Sequence, residues 1–285
     1  MKIGVTGSTG IIGTEIKKIF KLKNRNLFID KIENKKKVID WIKLNNFDVI
    51  IHLAAVVPTT VVNNNKNKSL MINFGGTKNL VNAINLYSKK RIWLFYSSTS
   101  HVYSYKKTKN NEKNKTKPIS YYGKTKLKGE KYILNNCKKF IPCIGRIFSF
   151  TSKNQKQLFI IPSLISKLKN KNKKIIFDNI NHERDFLTLK DIIHAIKLLK
   201  NKKAKGVYNI CSGKKINLKD ILFALNNKYK KKIIINDNNK TILLGSNKKL
   251  VNLGWKLQNI NYLNYLKIFF YFLQPLKKTP HRLHL

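Results

Sequence analysis

The chain is poor in the residues that would mark a disulfide-rich, metal-bound or membrane-spanning protein. Its 285 residues include only three cysteines, and their spacing fits neither a disulfide framework nor a zinc site. No apolar run approaches the roughly 18 residues that cross a bilayer, and the apolar stretch 265–273 is too short. The sequence enters a predicted strand directly after Met1, without a signal-peptide pattern. We therefore expect a cytoplasmic protein with no metal site and no membrane partner.

Acidic residues and arginine are scarce as well. The chain has 13 Asp and Glu against 59 Lys and Arg, which gives a formal net charge of +46, and only five of the basic residues are Arg. Such a charge attracts polyanions, but specific phosphate and guanine contacts favour the bidentate Arg fork. The lysines are spread among Asn and Ile, as an adenine/thymine-rich coding bias would produce. We predict no specific nucleic-acid partner, and surface loops at the Lys- and Asn-rich stretches 63–68 and 104–117.

Predicted strands and helices alternate through about residue 150. The strands lie near 2–6, 27–29, 48–53, 91–96 and 140–147, and the helices lie at 11–22, 35–45, 70–88 and around residue 122. This alternation indicates an α/β fold, a Rossmann-type doubly wound parallel sheet covered on both faces. Beyond it the pattern is mixed, with helices at 157–169, 190–200 and 218–228 and short strands at 174–177 and 207–210. We predict a domain over 1–150 and a smaller mixed α/β lobe over 151–285 that partly interleaves with it.

A glycine-rich segment carries the first chemical signal. It reads Gly7-Ser8-Thr9-Gly10-Ile11-Ile12-Gly13 and directly follows an apolar strand pattern. Glycines allow a sharp turn and a close approach of the backbone to a ligand, and the helix beginning near Ile11 presents unpaired N–H groups at its positive end. A pyrophosphate fits such groups. Residues 7–13, hereafter the glycine turn, are therefore predicted to bind a dinucleotide.

Tyr122 and Lys126 form the second signal. They lie four residues apart in Tyr122-Gly123-Lys124-Thr125-Lys126, so a helix presents both on one face. An ammonium beside a phenol favours the phenolate and lowers the tyrosine pKa, which makes the tyrosine a usable acid or base near neutral pH. Together with the glycine turn, this pair indicates an enzyme with a nucleotide cofactor.

Further segments follow in a fixed order along the chain. They are His52-Leu53-Ala54-Ala55, Asn73-Phe74-Gly75-Gly76-Thr77, Ser97-Ser98-Thr99 with Val102-Tyr103, Glu130 with Arg146-Ile147-Phe148, Arg184-Asp185-Phe186 with Asp191, and Leu253-Gly254-Trp255. With the two signals above, this series resembles the extended short-chain dehydrogenase/reductase family nearly end to end. That family contains nucleotide-sugar epimerases, dehydratases and reductases.

The resemblance implies a role for each matching residue. Thr99 would hydrogen-bond the reacting sugar oxygen, Tyr122 would remove or return its proton, and Lys126 would hold the nicotinamide ribose. Ser97, Ser98 and Ser100 are near enough in sequence to replace Thr99. The implied cofactor-binding residues are Gly7, Gly10, Ile11, Ile12, Gly13, Asp30, Leu53, Ala54, Ala55, Tyr122, Lys126 and Phe148. The implied substrate-binding residues are Thr99, Ser149 and Arg184, with Arg184 on the diphosphate, where a guanidinium fork suits phosphate oxygens.

Asp30 bears on the choice of cofactor. It lies 17 residues after Gly13, close to the ~20-residue spacing of a carboxylate that binds the adenosine ribose hydroxyls. Only about 40 residues separate Gly13 from Ala54, fewer than most relatives use, so one strand–helix unit is expected to be shortened or lost and Asp30 could instead lie near the adenine. A ribose carboxylate would repel a 2′-phosphate and favour NAD, whereas Arg25 and nearby lysines could offset that repulsion, which leaves NADP open.

The residues after Thr99 bear on the reaction. Dehydratases of the family carry acidic residues there, whereas this chain has Ser100 and His101, so elimination of water is not expected. His101 is either an acid in epimerisation or a hydrogen-bonded wall residue, and Asn73 is either catalytic or fixes backbone. The expected substrate is a nucleotide sugar, epimerised at C4 or, alternatively, reduced as a 4-keto sugar. A noncatalytic dinucleotide-binding protein with a basic surface is the rival, and we also expect a homodimer.

Overall fold

The computed structural model describes residues 1–237, 239–258, 262–264 and 266. Apart from Leu266, the apolar stretch 265–273 lies outside the described residues. The helices are α1 Ile11–Ile19, α2 Lys35–Leu44, α3 Thr59–Asn64, α4 Lys66–Leu70, α5 Gly76–Tyr87, α6 Tyr121–Asn135, α7 Ile160–Leu168, α8 Leu189–Asn201, α9 Leu218–Tyr229 and α10 Lys248–Val251. The strands are β1 Ile3–Thr6, β2 Leu27–Phe28, β3 Val49–His52, β4 Ile92–Thr99, β5 Phe140–Ile147, β6 Ser149–Thr151, β7 Lys174–Asp178, β8 Glu183–Thr188, β9 Gly206–Ile210, β10 Lys215–Asn217, β11 Lys232–Asn236 and β12 Ile242–Leu243.

Six strands form one parallel sheet in the order β2-β1-β3-β4-β5-β9. The predicted Rossmann-type sheet is confirmed. Strand order reverses between β1 and β3, and α/β sheets bind ligands beside the carboxyl ends of the strands at such a point. On the other side of β1 lies β2 alone, which fits the short spacing between the glycine turn and Ala54.

Apolar side chains cover both faces of this sheet. One buried cluster joins β1, β3, β4 and β5 to α1 and α8 through residues such as Ile16 and Ile196. A second cluster joins the opposite face to α2, α5 and α6 through Val38, Leu80 and Ile133. Because both faces are buried, the strands read as continuous apolar runs without alternation, as in Ile92-Trp93-Leu94-Phe95-Tyr96.

The second half of the chain builds a smaller lobe and also completes the main sheet. In the lobe, β10, β8 and β12 form one sheet with β6 on β8, and β7 pairs with β11. The loop 104–117 lies along β12, where the Lys106 N–H donates to Ile242 O and the Asn110 N–H to Leu244 O. β9 belongs to the main sheet, so that sheet draws on both halves of the sequence. A boundary near residue 150 stays a prediction.

The predicted loop at 63–68 is wrong, because the end of α3 and most of α4 occupy it. The Asn65 side chain caps α4 by accepting the N–H of Lys68, and Val62 and Ser69 are buried, so a few inward residues outweigh the polar composition. The prediction of helix over 70–88 missed a π-helical segment at Met71–Gly75. The loop predicted at 104–117 is a loop in the structure.

Candidate functional site

The glycine turn contains two glycines that the fold itself requires. Gly7 has φ +71°, and a Cβ there would lie 2.6 Å from the Ala54 nitrogen. A Cβ on Gly13 would lie 2.2 Å from Gly7 O. Gly10 is different, because its φ is −73° and a Cβ would meet only Gly7 O, at an ordinary 3.4 Å. The protein thus leaves room over Gly10 for a ligand that comes close to the backbone.

The amino end of α1 is open to an anion. The first helical hydrogen bond runs from the Thr14 N–H to Gly10 O, so the N–H groups of Ile11 and Ile12 precede the bonded turns. No side chain caps this end, and no acidic residue lies in the first turn. A cradle of this shape and polarity fits the pyrophosphate of a dinucleotide.

The segment 53–55 adjoins the glycine turn through a buried chain of hydrogen bonds. Thr6 Oγ1 accepts the Ala54 N–H at 3.3 Å and hydrogen-bonds His52 Nδ1 at 2.6 Å, and His52 Nε2 contacts Thr77 Oγ1 at 3.0 Å. Thr77 donates its hydroxyl hydrogen to Asn73 O, so it must accept the hydrogen of Nε2. Burial, assisted by Lys126, lowers the His52 pKa to about 3, so this histidine is a neutral structural link.

Asp30 lies two residues beyond β2, at the carboxyl edge shared with β1, where Phe28 is in register with Thr6. Its side chain is exposed. This position is compatible with an adenosine ribose contact, and the role of Asp30 stays a prediction.

Thr99, Tyr122 and Lys126 come together at the carboxyl end of β4. Thr99 ends that strand, and Tyr122 and Lys126 lie on the inner face of α6, where both are buried. Thr99 hydrogen-bonds the Tyr122 hydroxyl. Gly123 permits this approach, because a Cβ there would lie 2.2 Å from His101 O. The structure therefore unites the three residues that were predicted to be catalytic.

Electrostatics at this cluster differ from the prediction. Burial raises the Tyr122 pKa above its ordinary value, and only the Thr99 hydrogen bond opposes the shift. Burial also lowers the Lys126 pKa to about 7, against the attraction of Glu130. The Lys126 ammonium lies 4.1 Å from the ring centroid of Tyr96. The predicted lowering of the Tyr122 pKa by Lys126 is thus absent, because desolvation is the larger effect.

Asn73 fixes backbone beside this cluster. Its side chain accepts the Val56 N–H at 2.7 Å and donates to Val56 O and Thr125 Oγ1, each at 3.0 Å. It is fully buried within the π-helical segment. Asn73 therefore holds the segment after β3 against α6. Of the catalytic and the backbone-fixing role expected for it, these contacts fit the backbone-fixing role.

His101 lies at the wall of the same cluster. Its Nδ1 hydrogen-bonds Ser120 Oγ at 3.0 Å, and its ring meets that of Tyr122 edge to face at 5.9 Å. Ser120 also caps α6 by accepting the Gly123 N–H. Burial, with a smaller effect of Arg184, lowers the His101 pKa to about 4, so the imidazole is neutral at neutral pH.

Arg184 faces this wall from β8. Its Nη1 donates to Glu183 O and Thr241 O and its Nη2 to Thr241 Oγ1, at 2.8–2.9 Å, and its guanidinium lies 5.2 Å from the Tyr105 ring centroid. Nearby carboxylates are engaged elsewhere: Glu183 with Lys215 and Lys240, Asp185 with Ser212 and Gly213, and Asp191 with the Thr188 cap. Among the described residues Arg184 forms no ion pair, so its charge remains available to an anion.

Phe148 and Ser149 lie at the junction of β5 and β6. Phe148 is only 3% exposed and packs with Tyr103 at a ring distance of 6.3 Å. Ser149 is half-buried, in register with Phe186 next to Arg184 on β8. A nicotinamide contact for Phe148 and a substrate contact for Ser149 stay predictions.

A buried polar network beside the cluster had no role in the sequence analysis. It consists of Ser98, Glu130, Arg146, Tyr103 and Asn209, all at most 5% exposed. From the sequence, Glu130 and Arg146 were named only within the family resemblance and given no role, although Glu130 lies four residues after Lys126 on the same helix face. Arg146 was visible as one of few arginines. Their pairing joins α6 to β5, which a local pattern does not reveal.

The sheet order, the glycine turn and the Tyr122–Lys126 pair define the class of extended short-chain dehydrogenases/reductases. The sequence profile of the family described as GDP-mannose 4,6 dehydratase matches residues 5–256. The chain belongs to that family, which contains NAD(P)-dependent enzymes of nucleotide-sugar metabolism.

Individual relatives carry several activities. The chain is 29% identical over 225 residues to the GDP-6-deoxy-D-talose 4-dehydrogenase of Aggregatibacter actinomycetemcomitans, covering 75% of each chain. It is 24% identical to the GDP-6-deoxy-D-mannose reductase of Pseudomonas aeruginosa, covering 78% of each. The solved structure of RMD from Pseudomonas aeruginosa with NADPH superposes with a TM-score of 0.81 at 21% identity, covering 94% of this chain and 97% of that one. The UDP-glucose 4-epimerase of Thermotoga maritima gives 0.82 at 20% identity, with 96% and 100% covered.

No described helix is long and apolar enough to cross a membrane. Likewise, over the described ranges no three or more His, Cys, Asp or Glu side chains are grouped so as to hold a metal ion.

Proposed function

We propose that this chain is an NAD(P)-dependent oxidoreductase that acts at C4 of a nucleoside-diphosphate sugar, with reduction of a 4-keto sugar as the main reaction. The contact of Thr99 with Tyr122, one helical turn from Lys126, carries the proposal together with the open glycine turn. Thr99 lies at the carboxyl end of β4, the edge of the sheet at which the glycine turn follows β1. A sugar at that edge would reach a proton donor and a dinucleotide together.

In this proposal the cofactor would donate a hydride as NAD(P)H when a ketone is reduced and accept one as NAD(P)+ when an alcohol is oxidised. Tyr122 gives its hydroxyl proton to the sugar oxygen when a ketone is reduced, and takes it back when an alcohol is oxidised. Thr99 hydrogen-bonds both the tyrosine and the sugar oxygen and so aligns them. Lys126 binds the ribose of the cofactor. Gly10, Ile11 and Ile12 hold the pyrophosphate, and Ala54 lies beside it.

The names of the curated relatives favour reduction or oxidation at C4 over epimerisation. Three of the curated relatives are named as a 4-dehydrogenase or as reductases. C4 epimerisation is the second candidate, because a UDP-glucose 4-epimerase of Mycoplasma genitalium is 25% identical over 252 residues.

Arg184 is the proposed ligand of the substrate diphosphate. It is partly buried, is held by backbone and Thr241 acceptors, and forms no ion pair in the described part of the chain. The guanidinium is thus oriented while its charge stays uncompensated. His101, neutral and oriented by Ser120, lies between Tyr122 and the arginine and would contact the sugar.

Elimination of water is not part of the proposal, although the family profile bears the name of a dehydratase. The residues next to Thr99 are Ser100, which is buried, and His101, which is neutral. The carboxylate of Glu130, which belongs to the buried polar network, already accepts hydrogen bonds from Arg146 and Ser98. The site therefore offers no free carboxylic acid pair beside Thr99 for this chemistry.

The noncatalytic rival keeps one point in its favour. The chain is 25% identical over 147 residues to the methionine adenosyltransferase 2 subunit beta of Bos taurus, covering 47% of this chain. A binding subunit of that kind would not need Thr99 and Tyr122 in hydrogen-bond contact. A homodimer and a cytoplasmic location stay predictions. Sedimentation velocity would measure the oligomeric state.

Identification of the bound nucleotide tests the proposal. Protein purified without added nucleotide is denatured, and the released compounds are identified by chromatography and mass spectrometry. The protein is then assayed with NADH and NADPH against GDP-, dTDP- and UDP-linked 4-keto-6-deoxy sugars, with Tyr122→Phe as control. Exchangeable NAD(P)H with Tyr122-dependent oxidation supports the reductase. Tightly retained NAD with C4 epimerisation would instead identify the protein as an epimerase. Cofactor binding without any turnover would support the noncatalytic dinucleotide-binding protein.

A further inference from the structure

We infer that the buried polar network positions the catalytic helix α6 relative to the substrate lobe, so that Tyr122 and Arg184 are held as one unit. The inference rests on the proposed function only in assigning proton transfer to Tyr122 and diphosphate binding to Arg184. The network itself is a continuous series of hydrogen bonds among Ser98, Glu130 and Arg146 and then Tyr103 and Asn209.

One end of the network fixes α6 to the sheet. Glu130 lies one and two turns beyond Lys126 and Tyr122 on the buried face of α6. Its carboxylate accepts the hydroxyl of Ser98, the residue before Thr99 on β4. It also accepts from Arg146 on β5, with Nη2 to Oε2 at 2.7 Å and Nε to Oε1 at 3.0 Å. Glu130 thus ties the helix that carries Tyr122 to the strand that carries Thr99.

The middle of the network crosses the carboxyl edge of the sheet. The remaining guanidinium nitrogen of Arg146, Nη1, donates to the Tyr103 hydroxyl at 2.8 Å. The same guanidinium lies 4.8 Å from the Tyr103 ring centroid. Tyr103 then donates its hydroxyl hydrogen to Asn209 Oδ1 at 2.7 Å. This hydroxyl links the side chains of Arg146 and Asn209, whose strands β5 and β9 are also paired through their main chains.

The far end of the network holds the lobe. Asn209 Nδ2 donates to Asn110 O at 2.9 Å and to Ser246 O at 3.2 Å, and its main-chain N–H donates to Glu112 Oε1 at 2.8 Å. The Asn110 N–H in turn donates to Leu244 O, and the Ser246 N–H to Asn110 O. The loop 104–117 and the segment 241–246 are therefore fastened to each other and to β9.

This fastened region carries the surroundings of Arg184. Tyr105, in the loop, lies against the guanidinium, and Thr241 accepts two of its hydrogen bonds. The Lys106 N–H joins the loop to Ile242 O between these two points. A shift of the loop would therefore move the groups that orient Arg184.

Burial makes the network stiff. Every polar atom of Asn209 and every guanidinium nitrogen of Arg146 has a partner, in surroundings that exclude water. A buried network with all partners in place resists small displacements, and removing one member leaves its partners unsatisfied. Removing the Tyr103 hydroxyl should therefore loosen the Asn209 side chain and the loop that it holds, while the Glu130–Arg146 pair, α6 and the pairing of β5 with β9 stay in place.

Tyr103→Phe is the test, with Tyr132→Phe as matched control. Tyr132 is a partly buried tyrosine of α6 whose hydroxyl donates at 2.6 Å to Asn82 on α5, away from the network. In the full chain, Tyr103→Phe loses the hydrogen bond donated to Asn209 Oδ1 and the one accepted from Arg146 Nη1, whereas Tyr132→Phe loses the one donated to Asn82 Oδ1. We expect Tyr103→Phe to raise KM for the nucleotide sugar by ~5-fold or more, with kcat and the Kd of NAD(P)H within ~2-fold, and Tyr132→Phe to leave all three within ~2-fold.

Hydrogen exchange on the same variants separates this inference from the proposed function. Peptides containing the amides of Asn110 and Ser246 should exchange faster in Tyr103→Phe than in wild type. In Tyr132→Phe their exchange rates should equal those of wild type. This readout needs no substrate, so it tests the network even if no nucleotide sugar is turned over. Equal exchange in the two variants, or a KM that Tyr103→Phe leaves unchanged in an active enzyme, would overturn the inference. Asn209→Ala, which removes the same link from the other side, should reproduce the faster exchange.

Discussion

Replacement of Lys126 by methionine should stabilise the protein at mildly acid pH while it abolishes turnover. Lys126 is 1% exposed, and burial lowers its pKa from 10.5 to about 7. A shift of that size corresponds to an upper bound of ~5 kcal/mol for keeping the ammonium charged in the folded state. Loss of the attraction to the Tyr96 ring and imperfect methionine packing offset ~2 kcal/mol of this. We expect a gain in the free energy of unfolding of ~2–3 kcal/mol at pH 6.

The sign of the pH dependence follows from the lowered pKa. Below about pH 7 the lysine is charged in both the folded and the unfolded chain, so the whole cost is present. Between about 7 and 10.5 only the unfolded chain binds the proton, so the cost shrinks as the pH rises. The advantage of Lys126→Met should therefore be largest at pH 6 and disappear by about pH 9.5, where the residual cost no longer exceeds the lost contacts.

Urea unfolding at pH 6 and pH 9.5, followed by circular dichroism without added cofactor, measures this difference. Lys124→Met on the exposed face of the same helix is the control, and should change the free energy of unfolding by no more than ~0.5 kcal/mol at either pH. NAD(P)H affinity should fall in Lys126→Met but not in the control. A variant no more stable than wild type at pH 6, or a difference that is the same at both pH values, would refute the reasoning.

Four further substitutions, with Lys→Gln changes in the loop 104–117 as a comparison, separate the roles of the site residues. Tyr122→Phe should cut kcat by at least ~10²-fold and leave the Kd of NAD(P)H within ~2-fold in a fluorescence titration, since only proton transfer is lost; retained turnover would contradict the mechanism. Gly10→Ala should fold normally but weaken NAD(P)H binding by ~10-fold or more, whereas Gly13→Ala should lower the melting temperature, because its Cβ would lie 2.2 Å from Gly7 O. Arg184→Lys should raise KM for the nucleotide sugar by ~5–30-fold, because the loss of the fork geometry costs ~1–2 kcal/mol of binding free energy. Lys→Gln changes in the loop 104–117 should leave that KM within ~2-fold at about 0.15 M salt, where exposed charges are screened. The opposite order of effects would show capture by diffuse charge.

The sequence alone was sufficient for the features that depend on neighbours in the chain. The glycine turn is one, because the strand, the turn and the helix start are consecutive and their conformational needs are carried by Gly7 and Gly13. The facing of Tyr122 and Lys126 is another, since a four-residue spacing on a helix sets it. The alternation of strands and helices likewise required a parallel sheet covered on both faces.

Only the tertiary structure decided the features that depend on burial and on long-range pairing. The end of α3 and most of α4 form at 63–68 because a few inward residues of these helices are buried against the rest of the chain, which composition does not show. The Tyr122 pKa rises because desolvation is set by everything packed around the phenol, whereas the sequence shows only the neighbouring charge. Among the described residues Arg184 has no ion pair, because the carboxylates next to it in sequence contact partners on other strands and loops. The pairing of Glu130 with Arg146 joins residues 16 apart whose contact exists only once α6 lies on β5. Local sequence fixes conformation, but the dielectric surroundings and partners of a charged group are determined by the packing of the whole chain.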